Sequence, residues 1–541
     1  MSYGILRGLY LGEASNADLA SADVRARLHV TTPLDELIPS LVQRRLDVVL
    51  TGNPGDGKSH LVRNLAETGR LAGATIELDL SAHPDEEIIA AWEAAARAGH
   101  PFVLCANQGP LITLLETLAS GSSLHGRAAE LGGQLGRLLT PRPEHLPPAP
   151  RAAALIDLAD RNLCSEVLVS EAIARVADVS FLPPGFSGAD TSAGQNISLF
   201  TEAPEARARL ARLIAFAGNR QRDHVTFRHL WQCIAYAITA GKAQASQFQD
   251  LYVGRIGLGS FPLDNLASPR GQGLLIGAFN RHADPARHAD PALDEDLWTI
   301  AQPRTGRWLY DVGALTAPAR LWGETQDSQR AALQQLASIK RLVALAHEAG
   351  EDQVTRIVQD AEGPLAHTDR ALIDEVVTGL NALYLSPREQ GAAPAWLTDG
   401  IALWIGHSYR DVPASARPHV AVDTAARAEL TLLRPRRAPW LADAMGPVPA
   451  EAWLLHEPSG ATLRLDRELA ALLQRAAQTE GPLEPPEPVQ RFLSRLAGYH
   501  EHARAFTLGE DKFAVLDRPR GELVVAAAVG ALAAGGARYG A

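Results

Sequence analysis

Cysteine is scarce in this chain. Cys105, Cys164 and Cys233 are far apart, odd in number and set among apolar residues. That pattern excludes a disulfide framework or a zinc knuckle and fits a reducing cytoplasm. Long apolar runs are lacking too: the longest, LVVAAAVGALAA at 523–534, is too short to cross a bilayer and reads as a terminal core element. The opening MSYGILRGLYLGEASN has no basic start ahead of a long apolar core, so no signal peptide is expected. Basic charge is not in excess: 51 Lys and Arg stand against 62 Asp and Glu, a net charge of −11. This excludes a global field for gripping nucleic acid and leaves room only for a local patch. There is no internal repeat, no G-x-S-x-G elbow, no convincing Cys–His pair and no nuclease-like cluster of acids with lysine. A second, built-in enzyme is therefore not expected.

What is present is an ordinary soluble composition, 46% apolar and 21% charged, in 541 residues. That length suggests about three or four domains. PLDELIPSLVQRR at 33–45 reads as an amphipathic helix feeding the strand LDVVLTG at 46–52, and a helix follows over 58–70. TIELDLS (75–81), PFVLCAN (101–107) and AAALIDLAD (152–160) read as further strands. Helices PDEEIIAAWEAAARAG (84–99) and LITLLETLAS lie between them. Strands alternating with helices specify a mostly parallel sheet covered on both faces. NISLF at 196–200 reads as one more short strand. Helices at 204–218 and 225–241 then suggest a small helical lid. TPRPEHLPPAP (140–150) and EGPLEPPEP (480–488) read as loops. Beyond about residue 250 helices dominate, at 327–349, 366–384, 464–478 and 487–505. Strands are expected at 419–435 and in a hairpin over 452–466 turning at Ser459-Gly460.

Gly52-Asn53-Pro54-Gly55-Asp56-Gly57-Lys58-Ser59, followed by His60, fits G-x-x-x-x-G-K-[ST] without a mismatch. Each residue type has a physical reason. Glycines let the backbone aim several N–H groups inward as an anion nest, and the helix opening near Lys58 adds its positive end. Lys58 reaches the β and γ phosphates, and Ser59 can ligate Mg²⁺. The motif follows an apolar strand and opens a helix, the context its mechanism demands, so the expected ligand is ATP with Mg²⁺.

Hydrolysis also needs an acid that polarises the metal and a group that orients water. Two strand ends compete. Asp79 lies 21 residues beyond Lys58, Asn107 and Gln108 about 50. On one reading, the 101–106 strand is the second-motif strand with amides in place of acids, and Gln108 orients water. On the other, Asp79 is the acid and metal ligand, and Asn107 is a polar sensor on the neighbouring strand. Spacing leans toward the first, chemistry toward the second. Asp79 could equally be a strand-end residue that caps the next helix.

Over roughly residues 30–245 the order of parts resembles the AAA+ ATPases, through GNPGDGKS, FVLCANQG, ALIDLADRN, TEAPEARARLARLI and VTFRHL. The resemblance implies a lid arginine on the γ-phosphate, here Arg228. It also implies a finger arginine from a neighbouring subunit, for which Arg161, Arg175, Arg220 and Arg222 are candidates. The acidic pair expected after the second-motif strand is absent. The whole chain further resembles bacterial defence-associated ATPases, the group that includes phosphorothioation-dependent DNA restriction ATPases. That likeness rests on TGNPGDGKSH, the amide-bearing strand followed by Gly-Pro-Leu, VTFRHLWQCIAYAITAG, and FNRHADPARHADPALDEDLW at 279–298. It implies an anti-phage role beside a nuclease or DNA-binding partner. A homo-oligomer or a hetero-complex is expected, with possible DNA contact, in the cytoplasm and with no membrane partner.

The expected fold is therefore α/β: a parallel-sheet P-loop NTPase core over 1–200, a helical lid over 201–250, and a mainly α partner region with a few strands over 251–541. The expected activity is ATP hydrolysis that remodels or gates a macromolecular complex acting on DNA. The alternative is a non-hydrolytic, nucleotide-gated scaffold that recruits an effector such as a nuclease. A small-molecule kinase fits poorly, because the long C-terminal half shows no second substrate motif.

Two other clusters bear on function. His282, Asp284, His288 and Asp290 are metal-ligand types, but Pro285 and Pro291 suggest a loop with Asx turns. Arg434-Pro435-Arg436-Arg437 with Trp440 could touch a phosphate backbone, and a solvated turn explains it equally well.

Overall fold

The computed structural model describes residues 5–6, 8–9, 21–118, 123–139, 148–181, 192–221, 223–239, 274–358, 365, 367–385, 390–391, 393, 395–405, 419–434, 437–445, 451–479, 483–503, 513–517, 522–526 and 538–539. The chain divides into two compact units, Met1–Ala361 with Arg436–Pro449, and Glu362–Pro435 with Ala450–Ala541.

In the first unit, α1 (Ala22–Leu28) and α2 (Leu34–Gln43) lead into β1 (Asp47–Thr51) and α3 (Lys58–Glu67). Then follow β2 (Thr75–Glu77), α4 (Asp85–Ala98), β3 (Phe102–Cys105), α5 (Gln108–Leu118), α6 (His125–Leu139) and β4 (Ala153–Asp157). The four strands form an all-parallel sheet in the order β2-β3-β1-β4. Successive residues of β1 point to opposite faces. Val48 and Leu50 pack with α2, α3 and the helix Pro439–Met445, while Val49 packs with Trp92, Leu111, Leu114 and Leu131 of α4 to α6. Both faces are covered, so β1 and β4 are buried along their whole length and apolar through their middles.

Polar side chains close the ends and edge of this sheet. Buried Asp47 accepts from Trp92 Nε1 (2.7 Å), the Phe102 amide (2.8 Å) and Arg127 Nε (3.1 Å), tying α4, β3 and α6 to the start of β1. On the outer edge of β4, Gln134 donates to the Ala153 carbonyl (2.9 Å) and accepts from the Leu155 amide (2.8 Å). Glu130 accepts from the amides of Arg151, Ala152 and Ala153. An edge covered in this way offers no template for another strand.

A helical body follows: α7 (Glu166–Val176), α8 (Ser192–Glu202), α9 (Pro204–Asn219), α10 (Phe227–Thr239), α11 (Leu274–His282), α12 (Pro291–Ile300), α13 (Gln326–Ala346) and α14 (Gly350–Val358). NISLF, expected as a strand, lies inside α8. Ile197, Leu199 and Phe200 fit a helical stripe as well as an alternating one, and packing against α9 and α10 selects the helix. The two helices expected as a lid are α9 and α10. They share one core with α7, α8 and α11, and α9 also packs on α13 and α14. Gly218 permits the contact of α9 with the segment before α7, since a Cβ there would meet Cys164 Sγ at 2.2 Å.

The second unit holds α15 (Asp369–Ala382), β5 (Gly400–Ile405), β6 (His419–Ala426), β7 (Leu430–Leu433), β8 (Ala452–His456) and β9 (Ala461–Leu465). It continues with α16 (Arg467–Gln478), α17 (Glu487–Ala503), β10 (Phe513–Asp517), β11 (Glu522–Ala526) and β12 (Arg538–Tyr539). The expected hairpin is β8–β9, turning at Gly460 with φ +65°. The single strand region expected at 419–435 is two strands, split by a 3-10 turn at Arg427–Glu429: β6 belongs to an antiparallel sheet β12-β11-β10-β6-β5, β7 to a second, β7-β8-β9. Helices dominate as far as α15, and from β5 onward strands are as prominent as helices. Residues 140–147, 480–482 and 527–534 of the two proline-rich loops and the terminal apolar run lie outside the described residues. Among those described, no helix is long and apolar enough to cross a membrane.

Candidate functional site

The carboxyl ends of the four strands converge on one cavity of about 460 Å³, the place where open parallel sheets carry ligands. Its floor is the glycine loop. Gly52, Gly55 and Gly57 have φ of +135°, +99° and +89°, values that side-chain-bearing residues rarely adopt. Space demands glycine as well: a Cβ on Gly55 would meet Arg228 Cβ and Thr226 Oγ1 at 3.1 Å, and one on Gly57 would meet Phe227 Cδ2 at 3.3 Å. The loop is therefore clamped by the start of α10, whose Arg228 amide donates to the Gly55 carbonyl (3.3 Å). Asp56 is buried inside the turn, accepts from the Asn53 amide (2.6 Å) and contacts His224 Nε2 (2.7 Å).

Lys58 opens α3 and lines the cavity. Its ammonium donates to the carbonyls of Gly52 (2.8 Å) and Asn53 (3.0 Å) and to Asn107 Oδ1 (3.0 Å). Burial lowers its pKa, against the opposing pull of Asp56, Cys105, Asp157 and Asp79. Ser59 Oγ donates to the Leu78 carbonyl (2.8 Å), which sets the hydroxyl beside the end of β2.

The two competing strand ends differ in where they face. Asp79 lines the cavity and also caps the 3-10 turn Leu80–Ala82, accepting from the Ser81 amide (3.0 Å). Glu77, which sequence reasoning passed over, lines the cavity too. Asn107 lines it beside Lys58, whereas Gln108 begins α5 and its amide donates to Asp157 Oδ2 (2.8 Å). Burial raises the Asp157 pKa.

Arg228 and Arg161 both line this cavity, on their own chain. The other finger candidates are elsewhere: Arg175 pairs with Glu171, Arg220 lies over the Phe216 ring, and Arg222 is outside the described residues. The cavity wall also includes Leu28, His29, Val30 and His60. His60 stacks on His29 (centroids 5.4 Å apart), whose Nε2 contacts Asp35 at 2.7 Å, and burial drives the His60 pKa down to about 4. His60 was singled out with the glycine loop, but its partner His29 lies 31 residues earlier, outside any local motif.

The remaining clusters are structural. Asp284 caps a 3-10 turn and forms a buried pair with Arg341, while Asp290 caps α12 and pairs with Arg356. Among the described residues no group of three or more His, Cys, Asp or Glu is placed to hold a metal ion. Arg434 is held by Asp369 and two carbonyls, and Arg437 by Asp160. Arg436 lies outside the described residues. Compared with known proteins, the chain matches no family model, no curated protein and no solved structure.

Proposed function

We propose that this chain is an ATP-binding, AAA+-like ATPase that assembles with itself or with an effector such as a nuclease, and that it remodels or gates a complex acting on DNA in bacterial defence. Nucleotide binding is carried by one observation: a G-x-x-x-x-G-K-S loop with three left-handed glycines, set between a buried parallel strand and a helix start, forms the floor of a cavity large enough for a nucleotide. The defence and DNA parts rest on the sequence resemblance alone.

For hydrolysis, the placements favour Asp79 as the acid and Asn107 as the sensor. Asp79 faces the cavity next to Ser59, while Gln108 is engaged with Asp157. The strand order β1-β3-β2 also sets the amide between the cradle and the acid, as this reading requires. Ser59 Oγ and the Asp79 carboxylate are hard oxygen donors that suit Mg²⁺, which together with the phosphate oxygens they would hold. When bound, that ion supplies charge neutralisation on the phosphates. The chain's own residues do the rest: the loop amides and Lys58 bind the phosphates, Asn107 holds Lys58 in place, and Arg228 reports the γ-phosphate to α10.

The test is ATP binding and phosphate release by the full-length protein, with and without DNA. Tight binding that Lys58→Ala abolishes, with phosphate release, supports the reading. Binding without release under either condition gives the non-hydrolytic scaffold instead, and no binding removes both.

A further inference from the structure

Arg161 follows β4 and the turn Leu158–Asp160, and it enters the cavity at only 6% exposure. Every carboxylate around it already has its own donors. Asp35 takes His29 and Thr32, and Asp56 takes His224 and the Asn53 amide. Asp157 takes Gln108 and the Ala159 amide, and Asp160 takes Arg437. Among the described residues no oxygen accepts from the Arg161 guanidinium. It rests on the Phe227 ring, with Cζ 5.5 Å from the centroid, and Phe227 in turn abuts Gly57, the residue before Lys58. Burial lowers its pKa to about 10, so it is charged at neutral pH.

A buried guanidinium without an acceptor is costly to keep, and five donors with no acceptor suit a phosphate's oxygens. We propose that Arg161 donates to a phosphate oxygen of the nucleotide held by its own chain, acting in cis. This rests on the nucleotide reading of the cavity and sharpens it. The sequence offers Arg161 as a finger for a neighbouring subunit, but a side chain enclosed in the wall of its own cavity is turned away from any neighbour's nucleotide. Its seat on Phe227, against the Gly57–Lys58 end of the loop, puts it on the phosphate side.

The test compares full-length wild type, Lys58→Ala, Arg161→Met and Arg161→Lys. Each is titrated with ATP, ADP and adenosine and melted without nucleotide. Arg161→Met should weaken ATP roughly 10- to 100-fold, the worth of a charge-assisted hydrogen bond, and leave adenosine unchanged. Arg161→Lys should recover part of the loss. The melting temperature without nucleotide should hold or rise, since an unpartnered buried charge is removed. An equal loss for ADP places the contact on the α or β phosphate, and a loss for ATP alone places it on the γ. ATP affinity within twofold of wild type in Arg161→Met overturns the proposal, as does an equal loss of adenosine, which means a base contact. A fall in the nucleotide-free melting temperature with the lost affinity means a structural role and also overturns it. If wild type binds no ATP, or Lys58→Ala binds it unchanged, the nucleotide reading itself fails and this proposal fails with it. Only the first three outcomes strike Arg161 alone.

Discussion

Lys58 Nζ stands 3.0 Å from Asn107 Oδ1, so the cradle lysine and the amide beyond β3 are one unit across neighbouring strands. Two loop carbonyls complete the set of acceptors. The charge is thus held in the cavity before any ligand arrives, the preorganisation that phosphate binding rewards.

Lys58→Ala should therefore lose ATP binding by about 100-fold or more, because it removes the half-buried cation that, on the proposed reading, contacts phosphate directly. Asn107→Ala should bind ATP within a few-fold of wild type and hydrolyse it more slowly, since two carbonyls still position the ammonium. Calorimetric titration and phosphate release check the pair. Unchanged ATP affinity in Lys58→Ala would sink the cradle.

The two candidate hydrolytic residues, one an acid and one an amide, are separable. Asp79→Asn should lower phosphate release by roughly 100-fold, as loss of a metal-polarising group does, while ATP still binds. Gln108→Ala should leave turnover within about threefold, since its amide serves Asp157. The opposite ranking would restore the amide-bearing strand end as the hydrolytic one.

His347 should make stability depend on pH. It is 1% exposed, and its Nδ1 accepts from the Ala349 amide (3.1 Å), which requires the neutral ring. Burial pushes its pKa below the ordinary histidine value of 6.5. The unfolded chain therefore binds the proton first as pH falls. This contribution is fully present above about pH 6.5 and is lost below it, at no more than about 1.4 kcal/mol per pH unit. Urea midpoints between pH 7.5 and 5 should fall, and His347→Asn should fall less steeply. Equal slopes would remove His347 as the cause.

Arg341 and Asp284 form a buried two-bond pair, at 2.7 and 2.6 Å, between α13 and the turn after α11. Arg341→Met should cost about 3–5 kcal/mol, because it strands a carboxylate in the core. Adding Asp284→Leu should recover much of that. Denaturant melts of both variants test this, and an additive double mutant would show that the two residues do not act as a pair.

The glycine loop was legible because its logic is local. Three glycines, a lysine and a serine at fixed offsets, between an apolar run and a helix start, state their own backbone geometry. The alternating strands and helices of the first 160 residues were legible for the same reason, since periodicity survives without tertiary contacts. NISLF misled because five residues with apolar side chains at 197, 199 and 200 satisfy two periods at once. The split of 419–435 between two sheets was hidden because each half alternates correctly by itself.

By itself, the sequence determined that a G-x-x-x-x-G-K-S loop sits on a parallel sheet and that neutral amides follow one of its strands. Tertiary structure decided what each side chain meets: Asn107 on Lys58, Gln108 on Asp157, Asp79 in the cavity, His224 on Asp56, and Arg161 in its own chain's wall rather than on an outer face. The physical reason is one of range. Dihedral preference and periodicity act over a few residues, whereas these partners lie from 49 to 168 positions apart and meet only once the sheet has brought its strand ends together.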